Sequence, residues 1–459
     1  MCNMYVITHL IIYMYFKLEQ PKINKIDPKK FQEIFINPET KKEVFDFVQR
    51  INSPVYLYWD KAQYKEPSPK NMSKEELWIF AKFIRDSDKE KSEIKSSNGE
   101  YFSWVKLPNL EEFFHKTDQD LGGNLLSFKV DIDKNNKQKL ISRGVVEEAI
   151  ASSQLEGADT TREVAKRFLR ESRKPKNESE RMILNNYIAI KKIEDEYKNK
   201  ELNLKLLLEM HGDIVKDVVD ELGEKPRLRK NGDKIFVTNR IDGTVYHEGP
   251  NVEFVQKELI RLFDFANDKS NTLFLHPIIK AIMLHFWLAY LHPFTDGNGR
   301  VSRLLFYWYL LKHDYWAFAY LPISRIIKKA PDKYKMAFVY TEQDDLDLTY
   351  FIDYSIEKIQ LAIDDFIKYV KKRSLANSNV NKIAKIKYNL NERQIQLLQF
   401  FIGDKNEKTT IQIHTNLYQI TRKTAANDLK GIEKKGFVFS KKQGRTIYYY
   451  PTKKIQEIF

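Results

Sequence analysis

A histidine, an acid, two glycines, an asparagine and two arginines stand within thirteen residues of this chain: Leu291-His292-Pro293-Phe294-Thr295-Asp296-Gly297-Asn298-Gly299-Arg300-Val301-Ser302-Arg303. Each type brings its own chemistry. His292 titrates where a general base can work near neutral pH. Asp296 offers hard oxygens suited to magnesium, an ion that also takes phosphate oxygens. Gly297 and Gly299 let a backbone approach phosphate closely. Asn298 can donate to a phosphoryl oxygen from its side chain, and Arg300 and Arg303 carry forked donors that clamp a polyphosphate. Phosphoryl-type transfer needs mostly positioning and charge neutralisation, and these are the required parts. The stretch reads as a nucleotide-phosphate site with its own base.

A competing reading takes His276, His285, His292 and Asp296 as a zinc or iron site. It has enough ligands, but it leaves the glycines, Asn298 and the arginines without a role. A purely structural loop is disfavoured, because polar residues this dense between buried helices are costly without a ligand.

The elements around the stretch must hold it. Residues 277–290 (PIIKAIMLHFWLAY) are apolar nearly all round and predict a central buried helix; residues 301–311 predict another. His285 precedes His292 by seven and is expected to point the same way. A glycine-rich loop opening a helix presents backbone N–H groups to an anion. Upstream, residues 145–156 (VVEEAIASSQLE) form a helical pattern ended by Gly157. Ser152 and Glu156 lie four apart on one face, and the small neighbours Ala149, Ser152 and Ser153 leave the Glu156 carboxylate free to reach a partner. Residues 178–198 and 204–219 are amphipathic helices, with His211 on the second a packed or surface histidine. Residues 232–249 break the helical period: Ile235 and Val237 alternate, Asp242-Gly243 is a hairpin turn, and Val245 continues a second strand. Such a hairpin serves as a structural flap or holds an extended peptide by backbone pairing. Helices are further expected at 251–266, 324–339 and 347–370.

Residues 292–303 (HPFTDGNGRVSR) resemble the signature of the Fic family, His-Pro-Phe-x-Asp/Glu-Gly-Asn-Gly/Lys-Arg-x-x-Arg, at every fixed position. Ser152-Ser153-Gln154-Leu155-Glu156-Gly157 resembles the family's inhibitory motif. The resemblance covers about residues 123–370 and implies a mainly α protein: a helical Fic core with a β-hairpin flap, an N-terminal helical module and a C-terminal winged-helix domain. It implies a protein adenylyltransferase that moves AMP from ATP to a hydroxyl side chain of a target protein. On the matching positions, His292 is then the catalytic base and Asp296 the magnesium ligand. Gly297, Asn298, Gly299 and Arg300 form the phosphate cradle. Arg303 meets the γ-phosphate, or pairs with Glu156, beside Ser152, when the enzyme is off. The hairpin near 235–246 is the target-docking flap; Gly249-Pro250 follows it where similar proteins often carry two prolines. Two other functions are open: removal of AMP in the same pocket with Glu156 orienting water, and a DNA-binding regulator, suggested by the basic C-terminal end, whose Fic-like core is a sensor.

Composition bounds the rest. The 459 residues suffice for several domains, expected at 1–130, 131–373 and 389–459, with a polar linker at 374–388. The first is dense in aromatics read as core, with helices at 73–85, opened by Ser73 and Glu76, and at 104–120, ended by Gly122-Gly123. The single cysteine, Cys2, excludes a disulfide framework and a cysteine-built zinc site. Of the net charge of +14, residues 376–459 carry +10, from 16 Lys/Arg against 6 Asp/Glu. That end is expected to hold helices at 392–402, 409–416 and 421–435 and strands at 437–440 and 446–450, the layout of a winged helix. Its charge suggests DNA or a protein partner. Self-modification and a homodimer are the other associations expected. Residues 4–16 are apolar but too short to span a bilayer, and lack the flanks of a signal peptide. Translation from a later start such as Met14 and a cytoplasmic, membrane-free protein are expected.

Overall fold

The computed structural model describes residues 14–459 except 24, 70–71, 120–133, 219–225, 240, 270–273, 404–407, 419, 445 and 459. Helices dominate them, beside three separate two-stranded antiparallel sheets. The chain divides into two compact units. One holds the N-terminal module with residues 134–160 and 175–362; the other holds 161–174 and 363–459.

The N-terminal module consists of α1 (Pro28–Ile36), α2 (Pro38–Asn52), the single turn α3 (Trp59–Ala62), α4 (Lys74–Ser87), the hairpin β1 (Lys89–Lys95) and β2 (Tyr101–Val105), and α5 (Asn109–Thr117). Helix α4 starts as its sequence predicts: Ser73 Oγ accepts from Glu76 N while the Glu76 carboxylate accepts from Ser73 N. The helix expected over 104–120 is corrected. Phe102 and Trp104 are buried and alternate with more exposed neighbours, so the run begins as a strand, and Pro108 separates it from α5. Gly122 and Gly123 lie outside the described residues. The boundary expected near residue 130 does not separate compact units, because buried polar contacts bind the module to the core. The Arg85 guanidinium donates to Tyr350 Oη at 3.0 Å, and Tyr56 Oη donates to Asp347 at 2.8 Å.

The core of this unit is built from α6 (Lys134–Leu155), α8 (Glu178–Asp195), α9 (Leu204–Val215), the flap β3 (Phe236–Thr238) and β4 (Val245–Glu248), α10 (Val252–Ala266), α11 (Pro277–Leu291), α12 (Asn298–Lys312), α13 (Ile323–Ile327), α14 (Pro331–Gln343) and the start of α15 (Thr349–Tyr388). In α11 and in α12, 13 of 15 residues are buried, so the loop between them hangs from two immobile ends. Pro331 splits the helix expected over 324–339 into α13 and α14. Helix α15 runs on through the linker expected at 374–388. No Gly or Pro interrupts it, so the polar composition there does not break the backbone.

The second unit contains α7 (Arg162–Arg170), α16 (Glu392–Gly403), α17 (Ile411–Tyr418), α18 (Arg422–Lys434), the hairpin β5 (Val438–Gln443) and β6 (Thr446–Pro451), and α19 (Lys454–Ile458). Leu398, Phe401, Leu429, Ile432, Phe437 and Tyr449 share its core. Asp428 gathers Arg393 Nε at 2.7 Å and Asn391 Nδ2 at 2.8 Å, fixing α16 to α18. Among the described residues no helix is long and apolar enough to cross a membrane.

Candidate active site

His292 caps α11 in a left-handed conformation, φ 48° and ψ 57°, which turns the chain sharply into the loop. Left-handed backbone is unfavourable for a histidine and clusters at functional sites. Its Nδ1 lies 3.0 Å from Ala289 O, an atom that only accepts, so Nδ1 carries the proton and Nε2 presents a free lone pair. Burial, then the charges of His247 and Arg229, push the imidazole down to about 4, against the pull of Ala289 O and Glu156. The ring is therefore deprotonated throughout the neutral range and takes up a proton only as pH falls toward 4. In an NMR titration its signals should stay flat from pH 8 to about 5; an ordinary histidine would protonate at about 6.5.

Asn298 holds the loop shut. Its Oδ1 accepts from Phe294 N at 3.0 Å and its Nδ2 donates to Phe294 O at 2.8 Å. Its oxygen and one of its two amide hydrogens are thus engaged within the loop. Beneath, the His211 ring stacks on Phe294 with centroids 3.8 Å apart, and His211 Nε2 donates to Asp296 O at 3.0 Å. Burial lowers His211 to about 4, so this histidine is a neutral packing piece, as its sequence context predicts. Gly297, φ 79°, starts α12 with no side-chain cap, which leaves the first-turn N–H groups to an anion.

Arg300 is fully buried; its Nη2 donates to Asp296 Oδ2 at 2.9 Å and its Nη1 to Ile214 O at 3.3 Å. The Asp296 side chain is half exposed. One accessible carboxylate beside a phosphate cradle suits magnesium, which keeps waters and substrate oxygens as its other ligands. The alternative zinc or iron set does not assemble. His276 and His292 cap opposite ends of α11, a fifteen-residue helix roughly 22 Å long. His276 stacks on Phe114 and bonds Asp118. His285 does not share the loop with His292 but bonds Tyr334 Oη at 2.8 Å, and among the described residues no three His, Cys, Asp or Glu gather.

Glu156, just past the end of α6, reaches Arg303. Arg303 Nη2 donates to Glu156 Oε1 at 2.8 Å and to Ser152 O at 3.0 Å, and Nε donates to Ser152 Oγ at 2.9 Å. A Cβ on Gly299 would stand 2.3 Å from Glu156 Oε1, so the glycine is what lets the carboxylate lie against the first turn of α12. Burial would raise the carboxyl, but Arg303, then Arg300 and His292, outweigh it and hold it below the usual range. A depressed carboxylate contributes its stability above the ordinary value and loses it only as pH falls through the lowered one. The pair stays closed at neutral pH.

Helix α6 is firmly seated behind this pair. The Glu148 carboxylate accepts from Ser324 N at 2.9 Å and from Ser324 Oγ; Lys328 Nζ donates to Gln154 at 2.6 Å; Ser153 Oγ donates to Met182 O at 3.2 Å. At Gly144 a Cβ would meet Tyr320 Cα at 2.5 Å, backbone against backbone. Gly144→Ala should therefore cost about 1–3 kcal/mol in urea unfolding of the first unit, as overpacking does.

Three features lie outside the sequence reading. Arg229 donates its Nε to His292 O at 2.9 Å, its backbone N to Pro293 O at 2.9 Å and its Nη2 to Pro250 O, fastening the flap exit to the loop. It sits in a basic run with no motif, so nothing marked it. His247 on β4 bonds Glu342 and Tyr290 O; an isolated histidine in a strand pattern carries no signal. Tyr15 pairs in parallel with Val245, through Phe16 N to Val245 O and Val245 N to Met14 O, both 2.8 Å, so residues 14–16 run along the outer edge of β4. Residues 4–13 of the apolar stretch lie outside the described residues.

Residues 201–310 match the family described as Fic/DOC. A "Protein adenylyltransferase fic-1" of Caenorhabditis elegans is 38% identical over 108 residues, 23% of this chain and 20% of that protein. A "Protein adenylyltransferase Fic" of Drosophila virilis is 31% identical over 115 residues, 25% of this chain and 21% of that protein. The matched stretch thus spans about a fifth of the length of these curated relatives. A solved Fic family protein of Desulfovibrio desulfuricans is similar at a TM-score of 0.47 and 18% identity, over 75% of this chain and 95% of that one.

Proposed function

We propose that this chain, whose residues 201–310 are a Fic/DOC domain, is a protein adenylyltransferase restrained by its own Glu156. The observation that carries the reading is the pairing of an unprotonated His292 with the uncapped N-terminus of α12 and two buried arginines. His292 Nε2 takes the proton of a target hydroxyl. The hydroxyl oxygen bonds the α-phosphorus of ATP while the bond to the bridging oxygen breaks, and pyrophosphate leaves with that electron pair. The N–H groups of Asn298, Gly299 and Arg300 stabilise the charge on the phosphate oxygens, and Asn298 keeps the loop in shape for it. Asp296, exchanging its bond to Arg300, would hold magnesium, which supplies charge neutralisation on the phosphates. Arg303 is available to the γ-phosphate once Glu156 has moved away.

The flap fits a docking role. Its β3–β4 ladder is short and bulged between Val237 and Thr238, and its tip residue Ile241 is 95% exposed. Residues 14–16 already line β4, so an extended target segment would pair with β3. Intact-mass measurement of the chain and of candidate targets after incubation with ATP and magnesium tests the reading. An added AMP on a hydroxyl residue supports it, on the chain itself in the case of self-modification. No adduct on any protein, even with Glu156 replaced, contradicts it.

For residues 389–459 we infer a winged-helix-like module acting on an acidic partner from the cytoplasm. Its support is the order of three helices then a hairpin, with Lys441 and Lys442 exposed at the hairpin end. Duplex DNA binding that weakens steeply with salt would bear this out; none at low salt would turn the module to protein docking.

A further inference from the structure

His247 lies on β4 opposite Val237 and takes no part in the steps above. Its side chain is 9% exposed. Both ring nitrogens face oxygens: Nδ1 lies 2.7 Å from Glu342 Oε2 on α14, and Nε2 lies 2.9 Å from Tyr290 O in the last turn of α11. A neutral imidazole owns one N–H and one lone pair, and a lone pair cannot face an acceptor. A backbone carbonyl only accepts, and a carboxylate at 2.7 Å accepts a charge-assisted bond, so the ring carries both protons. The carbonyl end of α11 favours the same charge. The ring centre lies 6.1 Å from that of His292.

We propose that His247 is a positioning residue which, as a buried imidazolium bridging the flap, α11 and α14, keeps His292 unprotonated and its Nε2 free. This rests on the adenylyltransferase reading of His292 as the base. The charged groups around the pair come from three places in the chain. Glu342 on α14 faces His247; Arg229, ahead of β3, acts on both rings; Glu156, past α6, faces His292. Burial works against the charged form of His247, yet Glu342 outweighs it and holds the ring above the ordinary histidine range. The same positive charge is the largest influence after burial that lowers His292. A unit charge at this distance in a partly buried site moves a neighbour by roughly one to two pH units.

The experiment is a titration of ring signals by NMR in the full-length chain with labelled histidine, His292→Ala serving to assign the base. In the unsubstituted protein His292 should titrate near 4 and His247 above the usual range. In His247→Gln, a neutral side chain whose amide can donate to one of the two oxygens, His292 should move up by roughly one to two units. In a Glu156→Gly background carrying it, the acid limb of kcat/KM should move by the same amount with KM for ATP unchanged. If that variant does not fold, Glu342→Gln leaves the ring in place, and His247 should then titrate lower than before. An unmoved His292 signal, or a His247 that is neutral at pH 6, overturns the proposal. A shifted signal with no AMP transfer in any variant overturns the adenylyltransferase reading and leaves the tuning intact.

Discussion

Glu156→Gly is expected to raise AMP incorporation roughly 10- to 100-fold, the effect of removing a competitor worth about 1.4–2.8 kcal/mol at the site. Two contacts set the size of the effect. The carboxylate is held 2.8 Å from Arg303, and it lies against the first turn of α12 in the space a Cβ at position 299 would take. A triphosphate seeks the same arginine and the same helix end, so it must displace Glu156 before it can bind fully. The substitution also takes its ion-pair partner from Arg303, a buried cation that keeps Ser152, Tyr334 and Glu148 nearby, a loss that costs stability. The variant should consequently melt lower than the unsubstituted chain without nucleotide and regain the difference as ATP is added. Radiolabel incorporation and thermal melts with and without ATP measure the two halves. If the pocket instead removed AMP with Glu156 orienting water, the variant would lose that removal and gain nothing.

His292→Ala should lower transfer by roughly 10²- to 10⁴-fold in the Glu156→Gly background, the usual worth of a positioned general base. The free lone pair on Nε2 is the reason to expect so much, because Nδ1 is spent on Ala289 O in the last turn of α11. ATP binding should change little, since the phosphate cradle is formed by the N–H groups of α12 and the arginines. A loss of kcat with KM for ATP retained, read from initial rates, separates a base from a binding residue. A comparable loss of ATP affinity would assign His292 to binding.

The site was legible where its parts are close in sequence. Residues 291–303 carry their chemistry in one loop, and the apolar runs on both sides declare the helices that hold it. Glu156 was legible as an acid on a face of small residues, and its partner came from the resemblance to the Fic family. Arg229 and His247 were not, because their partners lie about 20 to 95 residues away and meet them only through the fold. Asn298 shows the limit of reading a residue type: an amide in a glycine-rich loop suggests a ligand contact, and its bonds to the Phe294 backbone were not legible. The same holds for the fold. Aromatics at 101–105 suit a strand or a helix equally until Pro108 and the β1 pairing decide, and the polar run after 373 does not stop α15. That N-terminal module and core share one unit depends on Arg85 and Tyr56, whose partners near residue 350 cannot be paired with them by pattern.

The most direct measurement is AMP incorporation from ATP labelled on its α-phosphate, compared side by side in the unsubstituted chain, Glu156→Gly and Glu156→Gly with His292→Ala. Weak labelling in the first, strong in the second and none in the third is the predicted result. Equal labelling in all three would contradict both the base and the carboxylate that holds its site shut.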